Sequence, residues 1–88
     1  MSTHTEDEKS ILTNALPTGE IHLMRTDQTG DFVRAGAVNH IDPDDPARQA
    51  GGIDAFESLK RKGLVRHEGG QLYKLTGTGF QQAKESAA

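Results

Sequence analysis

The chain has no cysteine and no tryptophan, and only one tyrosine and three phenylalanines among its 88 residues. Without cysteine there can be no disulfide, no thiolate metal site and no thiol nucleophile. The fold must hold by packing alone, which suits a reducing compartment. No apolar run approaches the ~20 residues that cross a bilayer, and Met1 to Ser10 is acidic and polar, unlike a secretory signal. A cytoplasmic protein without membrane contact is therefore expected. Hydrophobic residues are 33% of the chain and mean hydropathy is -0.66, which allows a small core and one domain at most.

Other chemistries are thinly represented. His4, His22, His40 and His67 show no paired spacing of the kind that holds zinc. Asp42, Asp44 and Asp45 resemble the opening of a calcium loop, but its glycine and its later bidentate glutamate are missing. Helix capping explains these aspartates better. Ser10, Ser58 and Ser86 fall on expected helices or a tail, outside any nucleophile elbow. Gly77-x-Gly79 lacks the third glycine and the lysine of a phosphate loop. A chain this short also seldom encloses a pocket of several hundred Å3. No enzymatic activity, metal or cofactor is expected.

Charge is present but unevenly placed. The net charge is -3. Residues 1–45 carry three basic and nine acidic side chains, a net -6, while residues 46–88 carry seven basic and four acidic, a net +3. A nucleic-acid binder shows a basic face, and only the second half can supply one. Ordinary surface charge is the plainer reading of the same numbers.

Read in order, residues 1–4 form a loose tail. Thr5 and Glu8 fit a capping box, and Ile11, Leu12, Ala15 and Leu16 then share one helical face. Pro17 and Gly19 stop that helix. Glu20–Arg25 and Asp31–Ala35 flank turn chemistry at Asp27–Gly30 and read as a β-hairpin; a short helix over Glu20–Arg25 is the competing reading. Residues 36–43 read as loop. Asp45 as N-cap with Pro46 at the first position opens a helix. That helix runs to Lys62 with Ala55, Phe56 and Leu59 inward, and Gly63 ends it. Gly51-Gly52 either weakens one continuous helix or separates a stub from a second helix; the stub would be barely one turn, which favours continuity. Leu64–His67, a turn at Glu68–Gly70 and Gln71–Leu75 form a second hairpin. Thr76 or Thr78 caps a last helix with Phe80 and Ala83 inward, and residues 86–88 fray.

Leu59-Lys-Arg-Lys-Gly-Leu-Val65, followed by Leu72-Tyr-Lys-Leu-Thr-Gly-Thr-Gly-Phe80, resembles bacterial winged helix-turn-helix proteins. Those often read L-x-x-x-G-L-V, a glycine-bearing wing, and Y-x-L-T-x-x-G-x-x-x-A, matched here by Tyr73, Leu75, Thr76, Gly79 and Ala83. Ile21 to Gly36 is similar to a variant, seen in small bacterial proteins, in which a hairpin precedes the long helix. The resemblance implies an α+β winged-helix fold over 5–85, in the order α-β-β-α-β-β-α. It also implies a transcriptional regulator binding double-stranded DNA, as a homodimer through its first and last helices. The 46–62 helix would enter the major groove and the 66–71 wing would reach the backbone. Arg48 and Gln49 suit guanine and adenine edges; Lys60, Arg61, Arg66 and Lys74 suit phosphates. His67 beside Arg66 could make binding pH-dependent. Each of these is also an ordinary exposed polar residue. Asp54 and Glu57 lie on the same helix and repel phosphates. The rival is a protein-interaction winged helix without DNA binding, such as a phage- or defence-associated accessory factor, whose hairpin edge accepts a partner strand.

Overall fold

The computed structural model describes residues 4–25, 30–40 and 44–87. The order is α1 (Glu6–Ala15), β1 (Glu20–Met24), β2 (Phe32–Ala35), β3 (Val38–His40), α2 (Pro46–Arg61), β4 (Val65–Gly69), β5 (Leu72–Leu75) and α3 (Gly77–Ala87). The class is α+β, but the order contains a strand that the sequence does not announce. Residues 38–40, expected as loop, pair with β2 through Ala35↔Val38 and Val33↔His40. This strand is three residues long with one strong β-former, so the ladder stabilises it and its own composition does not.

Local chemistry sets the helix starts. Thr5 Oγ1 accepts from the Glu8 amide at 3.2 Å, and Glu8 Oε1 accepts from the Thr5 amide at 2.9 Å, completing the capping box. Asp45 caps α2 by accepting from the Arg48 amide at 3.2 Å, with Pro46 behind it. α2 then runs unbroken through Gly51-Gly52, as the continuous reading expects. Gly63 follows at φ +76°, a conformation that ends helices and that side chains resist. Thr76, not Thr78, caps α3: its Oγ1 accepts from the Gly79 amide at 3.0 Å and donates to the Gly63 carbonyl at 2.8 Å.

The five strands form one antiparallel sheet in the order β3-β2-β1-β5-β4. The pairings Leu23↔Val33, Ile21↔Ala35, Ile21↔Tyr73 and Val65↔Leu75 place these side chains on one face. They join Ile11, Leu12 and Ala15 of α1, Phe56 and Leu59 of α2, and Ala83 of α3 in a single apolar cluster. All three helices thus lie on that face. Burial of each larger member contributes ~1.5–3 kcal/mol, and Phe56 meets Tyr73 edge-on at 4.8 Å between ring centroids. β4 is the far edge and carries a bulge between His67 and Gly69, which spoils it as a template for strand addition. No helix among the described residues is long and apolar enough to cross a membrane.

The described residues nearest the two ends carry contacts and helix that the sequence does not announce. His4, expected in a loose tail, accepts from Lys62 Nζ at 3.2 Å through Nδ1 and donates to Gln82 Oε1 at 3.0 Å. It therefore links α1, α2 and α3. α3 continues to Ala87, past the expected fraying point. Of the turn expected at Asp27–Gly30, residues 27–29 lie outside the described residues.

Candidate nucleic-acid interface

The residues expected to meet DNA do not form one surface. On α2 the solvent side carries Ala47, Ala50, Asp54 and, in the last turn, Arg61. Gln49 points the other way: it is buried and its Nε2 donates to the Asp31 carbonyl at 3.0 Å. That bond ties the start of α2 to the entry of β2, so the amide is committed to the fold and not offered to a base. Arg48 is exposed but borders a half-open cavity of about 520 Å3 lined also by Glu6, Asp7, Ser10 and His40. A cavity of this size was not expected from so short a chain. The acidic side chains of α1 there oppose a polyanion.

Lys60 lies on the helix side of the sheet. Its ammonium sits 5.5 Å from the Phe56 ring centre and 5.2 Å from that of Tyr73, and 3.4 Å from Glu57 Oε2. The rings and the carboxylate together already satisfy this cation. His67, on the same face, donates from Nε2 to the Gly70 carbonyl at 2.8 Å and stacks obliquely on Tyr73 at 4.8 Å. It braces the tight end of the hairpin.

Arg66 and Lys74 stand on the opposite face, directly across from each other in the β4–β5 ladder. Both are exposed, and Arg66 Nη2 reaches Glu68 at 3.0 Å. The register brings them near side chains that composition and motif did not single out. His22 pairs with Arg34 on one side and Leu72 on the other, Glu20 pairs with Lys74, and Met24 pairs with Phe32. Strand alternation is the signal for this grouping, but it becomes readable only once the register between β1 and β5 is known. The expected residues are therefore scattered: Arg48 at the start of α2 with Gln49 buried beside it, Arg61 exposed at the end of α2, Lys60 and His67 on the helix side of the sheet, and Arg66 with Lys74 on its open side.

A buried charged cluster is the other site of note. Glu8 is 3% exposed and takes Lys62 Nζ at 2.7 Å. Burial alone would raise its pKa, but hydrogen bonds from Lys62, the Thr5 amide and Ser58, with the Lys62 charge, outweigh that and hold it at about 2. His40 is pushed down by burial, with Asp7 pulling the other way; its Nε2 accepts from Asn14 Nδ2 at 3.3 Å. Both groups join elements of the fold. In comparisons with known proteins, no family model, no curated protein and no solved structure matches the chain.

Proposed function

We propose that the chain is a winged-helix-type module that works by docking onto another protein, not by reading a DNA groove. The winged-helix part of this reading is supported by the run α2–β4–β5–α3 and by a β1-β5-β4 sub-sheet. The β2–β3 hairpin stands where a simple winged helix would carry the first helix of its helix-turn-helix. The observation that carries the docking reading is the outward face of α2. It offers Ala47, Ala50 and Asp54, with Arg48 and Arg61 toward its two ends and Gln49 turned inward. Between those two arginines the exposed positions carry no donor to read base edges and no cation to anchor phosphates.

A second reading keeps a DNA role for the β4–β5 hairpin, because Arg66 and Lys74 stand side by side there. A titration of a labelled mixed-sequence duplex at low ionic strength separates the two. The docking reading expects no saturable binding and no dependence on salt. Saturable binding that weakens steeply with added salt, by the release of ions from the duplex, overturns it. Affinity capture from the chain's own cells then recovers one protein in a fixed ratio and no DNA.

A further inference from the structure

We propose that the docking surface is the open face of the sheet, and that its occupant is an acidic amphipathic helix of a partner protein. This rests on the docking reading above and specifies its surface and its partner chemistry.

The core cluster, with the half-buried residues packed against it, includes Ile21, Leu23, Val33, Val65, Tyr73 and Leu75. It does not include Met24, Phe32 or Leu72, which alternate with those residues on the same strands. These three point away from the helices, and no described element covers them. Each is only half-buried. Met24 and Phe32 are cross-strand neighbours, and Leu72 lies beside His22. They make an apolar strip across β2, β1 and β5.

The strip is bordered by three cations and two carboxylates. Arg34, Arg66 and Lys74 are exposed on this face. Against them stand Glu20, half-buried beside Lys74, and Glu68, paired with Arg66. Like charges directly opposite on adjacent strands, as Lys74 and Arg66 are, cost stability. Glu20 and Glu68 offset part of that cost, and the face keeps one more cation than carboxylate, which suits a negatively charged partner. A sheet of five strands at ~4.8 Å spacing is roughly 20 Å wide, room enough for one helix of ~10 Å diameter.

Single-stranded nucleic acid is the other polyanion to consider. Its bases need planar side chains on which to stack. Met24 and Leu72 are aliphatic, and among the described residues of this face the aromatic rings are those of Phe32 and His22. An apolar helix face flanked by carboxylates matches both the strip and its border.

The test is a titration of isotope-labelled chain, followed by amide chemical shifts. The probe is a helical peptide of about 18 residues, five turns, with leucines at i, i+3, i+4 and i+7 and glutamates beside them. Saturable binding is expected, with shifts centred on Met24, Phe32, Arg34, Leu72 and Lys74. The double variant Arg34→Glu/Lys74→Glu alters only exposed side chains; it should weaken binding at least about tenfold, as should exchanging the peptide glutamates for lysine. Absence of saturable binding overturns the proposal, as do shifts centred on α2 or β3, or tighter binding of an oligothymidine of about 15 nucleotides at the same face. If a captured partner binds the double variant as well as the native chain, the docking reading stands and this surface falls. If only duplex DNA binds, the docking reading itself falls.

Discussion

At the scale of single residues, the polar groups with the richest contacts serve the fold. Glu8 shows this most clearly. Its carboxyl pKa lies at about 2 against an ordinary 4.5, so the folded state favours the charged form. That stability is fully present above pH 4.5 and is lost as pH falls toward 2. A difference of that size corresponds to ~3 kcal/mol. Chemical denaturation of the native chain and of Glu8→Gln at pH 7 should differ by about 2–3 kcal/mol. The gap should close as pH is lowered from 4.5 to about 2. A gap independent of pH would mean that the Lys62 pairing does not set the stability of this corner. Gln49 teaches the same lesson from the other side. It has the right chemistry for an adenine edge and the right place near a helix start, yet its amide is spent on the Asp31 carbonyl.

At the scale of elements, what the sequence made legible was local. Thr5 with Glu8, Asp45 with Pro46, and Gly63 each state a helix boundary in a few adjacent residues, and each does so in the structure. Strand β3 was not legible, because Val38–His40 becomes a strand only by pairing with β2. Nor was the separation of Lys60 from Lys74 onto opposite faces, since that depends on which residue of β1 meets which residue of β5. The glycines of the two later helices divide along the same line. Gly52 sits mid-helix, and a methyl group there would rest 3.8 Å from the His40 side chain, an ordinary contact. Gly52→Ala should therefore stabilise by ~0.5–1 kcal/mol through helix propensity. Gly79 sits where α3 crosses the chain just before β4, and a methyl group would run into the Leu64 carbonyl. Gly79→Ala should destabilise by ~2–3 kcal/mol. Thermal denaturation of the two variants reads opposite signs. Stabilisation in both would show that helix propensity, not the Leu64 crossing, governs Gly79. The recurring glycine of the Leu75-Thr76-x-x-Gly79 run thus has a steric cause in this chain.

At the scale of the whole molecule, the acidic first half and the basic second half are not separate bodies. β1 belongs to the first and β5 to the second, and they are neighbours in the middle of one sheet. α1 packs against both α2 and α3, and the Glu8–Lys62 bond spans the same divide. A chain ending at Gly70 keeps α1 to α2 intact in sequence but removes β5 and α3. Circular dichroism of that fragment should show no cooperative melting; a sharp transition would mean that residues 1–70 fold without β5 and α3. The central place of β1 has a temporal side as well. The ribosome makes β1 about fifty residues before its partner β5. Over that interval the chain carries a strand with one flank unpaired, and such flanks recruit other chains. Ile21 has to wait for Tyr73. How much folded protein a cell obtains then depends on how quickly the β4–β5 hairpin follows, and on what shields β1 until it does.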